Sequence, residues 1–308
     1  MANLNYAKEY NDSLAQAFPY VLNFGAIYAT PNNGRYRFKG GKSIELPVIT
    51  TTSRTAASRD TTGTLARNYE NTWEEKTLTN QRKWSTLVHP QDIDQTNYAA
   101  SIANITSEFN NTHKFPEMDA YAISKIFTDW VDLNKTPVSA TLTTSNVLST
   151  FDSMMSEMTE ANIPVNGRIL YVTPSVMTLL KNASGIERSF NVKGGGEVNR
   201  NITMLDGVQV VVVPTSLMKS SYSFTNGYIP ASSAFQIQMF LIHPECVIAP
   251  VSYEFSCLDE PSAVTGGKYV YYEESFEDVF ILNKRASGIN FVIAPVSSGS
   301  SSNTGSGS

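Results

Sequence analysis

The segment Lys268 to Ile293, KYVYYEESFEDVFILNKRASGINFVI, constrains this chain more than any other. Aromatic and β-branched residues crowd Tyr269–Leu282 and Ile289–Ile293, the composition of strands. Lys284-Arg285-Ala286-Ser287-Gly288 between them has the composition of a turn, so the stretch reads as a hairpin. Upstream, Arg168–Val172 is a strand candidate. Thr173-Pro174 then supplies a cap and a proline at the first helical position, opening a helix to Lys181. Val208–Val213 is an unbroken β-branched run, which predicts a strand covered on both faces. Phe235–Ile242 is a further strand. Ser145 stands before Leu148, Phe151, Met155 and Met158, the apolar residues of another helix. With the polar connector Thr136–Thr144 ahead of it, this alternation argues a compact α/β unit over 135–246.

Between residues 91 and 134 the period is helical. Tyr98, Ile102, Ile105 and Phe109 form one apolar stripe, with Asp92 or Asp94 as its cap. Pro116, Glu117 and Asp119 suit a second helix start, with Met118, Ala122, Ile126 and Trp130 as its buried line. Both stripes read as core.

Residues 31–90 have a different character. They hold ten basic side chains against five acidic ones, whereas the rest of the chain holds thirteen against twenty-three. The basic residues are Arg35, Arg37, Lys39, Lys42, Arg54, Arg59, Arg67, Lys76, Arg82 and Lys83. This asymmetry points to a basic arm that meets an acidic partner surface. Candidates for that surface are Glu254, Asp259, Glu260, Glu273, Glu274, Glu277 and Asp278. Tyr36–Phe38 and Ile44–Ile49 read as extended, Gly40-Gly41 as a bend, and Thr50–Thr64 as an exposed tip without large apolar residues. Tyr69–Thr79 and Trp84–Val88 return. An excursion of ~20 residues each way reaches on the order of 60 Å, against a radius of gyration near 17 Å for a compact body of ~230 residues.

Catalytic chemistry finds no foothold. His89, His113 and His243 share no ligand spacing with one another or with Cys246 and Cys257, so neither zinc nor a Cys-His pair is supported. Two cysteines in strand-like context read as small buried hydrophobes. Gly194-Gly195-Gly196 is followed by Glu197-Val198 and lacks the lysine and hydroxyl of a phosphate loop. Glu273, Glu274, Glu277 and Asp278 lie on one strand, whose neighbours point to opposite faces, so no carboxylate pair is fixed. No apolar run nears the ~20 residues of a membrane span, and MANLNYAKEYNDS is no secretory signal. We expect no catalytic residues, no cofactor and no metal, in a chain long enough to bury roughly three quarters of its unfolded surface.

Four segments, taken in order, resemble the second half of the major capsid proteins of tailed bacteriophages, which share the Hong Kong 97-like fold. They are RILYVTPSVMTLLKNA (Arg168–Ala183), MLDGVQVVVVPTSLM (Met204–Met218), MFLIHPECVIAPVSYEFS (Met239–Ser256) and the KYVYYEESFEDVF…GINFVI segment. The resemblance implies an α+β chain in five parts. These are an N-terminal arm (1–30, poorly anchored, with the apolar patch Phe18–Leu22) and an extended E-loop hairpin (31–90). A peripheral (P) domain follows with a long spine helix and long strands (91–134 and 247–296), then an inserted α/β axial (A) domain (135–246) and a flexible Ser/Gly tail (297–308). It implies self-assembly into hexamers and pentamers of an icosahedral head, with the E-loop lying over a neighbouring subunit. The implied setting is the virion, assembled in the bacterial host cytoplasm around double-stranded DNA held without sequence-specific binding. A portal, a decoration protein and, because no long assembly domain precedes the arm, a separate scaffolding protein are the implied partners. An encapsulin-like shell around an enzyme is the alternative within the fold, and a soluble α/β hydrolase the alternative outside it.

Overall fold

The computed structural model describes residues 19–39, 42–56, 59, 67–96, 100–183 and 202–295. Phe18, Gly40-Gly41, Tyr98, the Gly194–Gly196 run, part of the Thr50–Thr64 tip and the Ser/Gly tail lie outside the described residues. The chain divides into two compact units. One takes the described parts of Ala29–Ile105 and Ile248–Phe280. The other takes those of Ala15–Tyr28, Thr106–Val247 and Ile281–Ser308.

The first unit is mostly strand. β1 (Arg37–Phe38), β2 (Ser43–Thr51) and β3 (Tyr69–Thr77) form one antiparallel sheet in that order, with β2 and β3 in unbroken register from Ser43 opposite Thr77 to Thr51 opposite Tyr69. Nine paired residues give a ribbon about 30 Å long. β4 (Gln81–Val88) departs from the expected hairpin and joins a second sheet. Helix α2 (Pro90–Gln95) follows, its start capped by His89 Nδ1, which accepts from the Gln91 amide, and by proline in the first turn.

The second unit is a three-layer α/β/α core. Its segments are α1 (Gly25–Tyr28), α3 (Ile102–Phe109, which spans the division), α4 (Phe115–Asp132), β5 (Val138–Ser139), α5 (Val147–Glu160), β6 (Ile169–Val172), α6 (Pro174–Asn182), β7 (Met204–Leu205) and β8 (Val208–Val212). The short strands β9 (Tyr222–Ser223) and β10 (Ile229–Pro230), then β11 (Ile237–Ile242) and β12 (Val247–Ile248), come next. β13 (Val251–Asp259) and β14 (Tyr269–Glu277) belong to the first unit, and β15 (Phe280–Ile281), at the division, precedes β16 (Ile289–Ile293) of the second. The central sheet runs β5-β16-β11-β6-β8-β7. One face carries Leu170, Val172, Met239, Leu241 and Val292 against Phe151, Met154 and Met158 of α5 and Val176, Met177 and Leu180 of α6. The opposite face carries Tyr171, Phe240 and Phe291. Phe240 and Phe291 stack at 4.5 Å between centroids, and Phe24, Phe127 and Trp130 close on these rings at 4.7 to 5.3 Å. Coverage of both faces explains why β6 and β11 are apolar at nearly every position.

Several expectations change here. Tyr269–Leu282 and Ile289–Ile293 are not a hairpin. β14 is the middle strand of the β13-β14-β4 sheet, β16 lies in the six-stranded sheet, and a 3₁₀ turn (Asn283–Gly288) stands before β16. Gly288 in that turn approaches Cys246 Sγ so closely that a Cβ would overlap it, and Trp130 Nε1 donates to Ala286 O at 3.1 Å. β8 is not covered on both faces: Val208 and Val210 of one face are buried, while Gln209 of the other is exposed and Val211 half-buried, beside the two-residue edge strand β7. Asp206 and Gly207, both at positive φ, make the tight turn joining them. The α5 line is Val147, Phe151, Met154 and Met158, with Leu148 and Met155 half-buried and Asn146, not Ser145, at the cap position. Ile102, Ile105 and Phe109 are half-buried, so α3 is no core helix. Nor does a separate helix begin at Pro116. A π turn over Asn110–Lys114 links α3 to α4, and the Phe115 amide donates to Asn110 O. Widening the turn just before proline relieves the clash and the missing donor that a regular helix would meet there.

Residues 19–28 are well anchored, contrary to the expectation for 1–30. Phe24 is fully buried, and the buried Asp119 carboxylate of α4 accepts from Tyr20 Oη (2.6 Å), Asn23 N and Nδ2 (2.9 Å each) and Phe24 N (3.0 Å). Burial is the largest influence on Asp119 and raises its pKa, against the pull of these donors. A raised carboxylate pKa means that the folded chain holds the proton more tightly than the unfolded chain. The stabilisation is complete below the ordinary value of about 3.9 and is lost as pH rises through the folded value. Asp119→Asn, which keeps an acceptor and removes the charge, is expected to flatten that slope in melting temperatures recorded across the acid range.

Arg168 is buried, and among the described residues no carboxylate pairs with it. Its guanidinium donates to Met155 O (3.1 Å), Ile163 O (2.6 Å), Thr159 Oγ1 (3.2 Å) and, through Nε, Pro164 O (3.0 Å), satisfying the C-terminal end of α5. Arg168→Met strands these acceptors in the interior. A loss on the order of 3 kcal/mol is expected in urea unfolding.

Candidate assembly surface

The β2–β3 ribbon is buried only at its base, where Ile44, Glu45 and Leu46 are enclosed; beyond Val48 every β2 residue is exposed. Its alternation puts Glu45, Pro47, Ile49 and Thr51 on one face with Glu75, Trp73, Asn71 and Tyr69 of β3. Arg37 of β1, opposite Glu45, lies on that face. Its guanidinium donates to Glu45 Oε2 through Nε (3.0 Å) and Nη2 (2.7 Å) and sits 4.1 Å from the centre of the Trp73 ring. Arg67 lies over Tyr69 at 5.7 Å.

Much of the basic charge is matched inside the ribbon. Lys39 bridges Glu45 (3.0 Å) and Glu75 (3.3 Å), and Lys76 pairs with Glu74 at 2.9 Å. Arg82 and Lys83 lie on β4, in the sheet of the return strands, with Lys83 directly opposite Glu274 of the same chain. Arg35 and Lys42 are exposed near the base; Arg54, Arg59 and Arg67 are exposed towards the far end.

The proposed acidic set also separates. Asp278 is buried and accepts from the Thr79 amide (2.8 Å), Thr79 Oγ1 (3.2 Å) and the Val279 amide (2.8 Å), so it closes a turn and offers nothing to a partner. Glu254, Asp259 and Glu260 are exposed, and Glu273, Glu274 and Glu277 half-buried. Tyr271 Oη donates to Glu273 (2.8 Å) and Tyr272 Oη to Glu274 (2.6 Å). The Tyr272 hydrogen bond, with Gln81 next, holds the Glu274 carboxyl below the usual range.

Large exposed apolar side chains are what the sequence reading missed. Ile49, Tyr69 and Trp73 lie on one ribbon face. Leu87, Tyr253 and Phe255 lie on one face of the β13-β14-β4 sheet, with Lys83, Glu274 and Asp259. Exposure of these six runs from 42% at Phe255 to 62% at Ile49. Their signal was available: Tyr69 and Trp73 are four apart on a strand, hence on one face.

Among the described residues, no three His, Cys, Asp or Glu side chains converge as a metal site, and no helix is long and apolar enough to cross a membrane. His89 and His243 each cap a turn, and His113 lies in the π turn. Cys246 is buried, its thiol pushed up to about 12 by that burial; Cys257 is half-buried on β13, less enclosed than expected.

Arg37, then Lys39, holds the Glu45 carboxyl below its usual pKa. This contribution is present above the ordinary glutamate value of about 4.3 and is lost as pH falls through the lowered folded value. Glu45→Gln should therefore be less stable than the parent near neutrality and should converge with it in strong acid, read as melting temperature against pH.

No family profile and no curated protein matches the sequence. Solved structures do. The mature capsid of bacteriophage PhiM1 aligns with a TM-score of 0.65 at 12% identity, covering 95% of this chain and 93% of that one. A protein of Mycobacterium phage Che8 gives 0.62 at 14%, covering 95% and 98%. The acid-stable capsid of Helicobacter pylori bacteriophage KHP30 gives 0.61 at 12%, covering 94% and 95%. The chain has the fold of these phage capsid proteins, the Hong Kong 97-like α+β fold that the four segments resemble.

Proposed function

We propose that this chain is the major capsid protein of a tailed bacteriophage, closing in many copies into an icosahedral head around double-stranded DNA. The observation that carries the reading is agreement of fold with phage capsid structures over nearly the whole of both chains. The β2–β3 ribbon is the E-loop, lying over a neighbouring subunit, and its far-end arginines meet exposed acids of that neighbour. The division of labour follows the five parts set out above. β4 is returned to the peripheral sheet, where it pairs with β14, and β16 to the axial sheet.

The role is structural. A separate scaffolding protein, a portal and a decoration protein are the further partners, and assembly takes place in the host cytoplasm. The acidic surplus outside residues 31–90 keeps the wall from adhering to packaged DNA, which confinement retains.

Electron micrographs of the chain, expressed alone and with the gene products encoded beside it, test this reading. Closed shells of uniform size are expected; dispersed subunits under every condition contradict it. Replacing Arg54, Arg59 and Arg67 together by Ser should leave the subunit's melting temperature unchanged and slow or misdirect assembly. Single exposed ion pairs are worth only ~0–1 kcal/mol, so the effect is collective. A destabilised monomer with normal shell yield would show that these arginines act within their own subunit.

A further inference from the structure

Resting on that reading, we infer that affinity between subunits resides in the apolar face of the ribbon, and that charge serves mainly to set its register. Arg37, Trp73, Ile49, Tyr69 and Arg67 follow one another along one face of β2–β3, with Arg37 over Trp73 and Arg67 over Tyr69. Trp, Tyr and Arg dominate the few residues that carry the energy of protein interfaces. Here the aromatic rings are already held by the arginines, and Arg37 by Glu45, so little ordering remains to oppose binding. A two-stranded ribbon has no interior, and nothing on this face is enclosed within the subunit beyond its base.

The occupant is a second copy of the chain, through the β13-β14-β4 face that bears Leu87, Tyr253 and Phe255. Two complementarities choose it. The sheet face is the apolar counterpart in kind: Tyr253 and Phe255 stack at 6.3 Å between centroids, both exposed, with Leu87 exposed on β4. It is also the charge counterpart: Asp259 and Glu274 share that face, with Lys83 opposite Glu274 and the exposed Glu260 just beyond the strand, whereas the ribbon carries exposed Arg54, Arg59 and Arg67 beside its apolar stripe. Apolar meets apolar in the middle and arginine meets carboxylate around it, the arrangement of a core within a polar rim.

A double-mutant cycle on assembly tests this. Trp73→Ala, Phe255→Ala and the double variant are compared with the parent for melting temperature of the dilute subunit and for the subunit concentration giving half-maximal shell formation. Ile49→Ser serves as a second ribbon variant. Each ribbon variant should melt like the parent and raise the half-assembly concentration by roughly tenfold or more. The double variant should be no worse than about either single change, because each removes the same contact. Strictly additive effects, or ribbon variants that assemble like the parent, overturn the inference while leaving the capsid reading intact. Absence of shells from the parent under every condition overturns that reading and the inference with it. Arginine beside exposed aromatics also suits single-stranded nucleic acid. Saturable oligonucleotide binding that disappears in Trp73→Ala, together with unchanged assembly, assigns the face to nucleic acid and overturns the inference.

Discussion

A pair of antiparallel strands can bury side chains only against something else, and the β2–β3 ribbon outruns what its own subunit supplies. Ile44, Glu45 and Leu46 are enclosed at its base, and from Ile49 outward β2 is exposed. Isolated two-stranded ribbons are marginal in water. Two features compensate along this one: the Arg37–Glu45 pair at 2.7 Å and the bridging of Glu45 and Glu75 by Lys39. These contacts keep the ribbon formed without giving its apolar face an interior. In the proposed capsid role that deficit becomes an interface.

The second unit is built on the opposite principle. Its six-stranded sheet is covered on one face by α5 and α6 and on the other by the aromatic stack around Phe240 and Phe291, so its core is complete within one chain. Two buried polar groups there are well bound, Asp119 by four donors and Arg168 by four oxygen acceptors. In the first unit the one buried carboxylate of the return strands, Asp278, closes the step from β14 to β15, and the remaining acids stay near the surface. One unit is self-sufficient and the other leaves apolar surface unmet.

Strands and helices of the second unit were legible because each carries a periodic apolar pattern: β6, β11 and α6 fall where the residues put them. Pairing was less legible. Tyr269–Leu282 and Ile289–Ile293 look like hairpin partners because they are adjacent and strand-like, yet propensity records that a segment is extended and says nothing of its neighbour. β4 was drawn into the arm for the same reason. Val208–Val213 shows that a β-branched run does not report burial at a sheet edge. Charge counting failed at Asp278, since a carboxylate in a turn and one on a surface are identical in sequence. It counted Glu45, Glu74 and Glu75 but did not show that they take up much of the basic charge within the ribbon.

The central claim is that the far part of the ribbon engages another copy of the chain, and it can be read directly from which molecule it touches. A photo-activated cross-linker replacing Ile49, in particles assembled from equal amounts of isotopically light and heavy subunits, reports this by mass. The account predicts cross-linked peptides of mixed isotope, with the acceptor in Val251–Asp259 or Gln81–Val88. Cross-links confined to peptides of one isotope would place the ribbon on its own subunit and contradict the account.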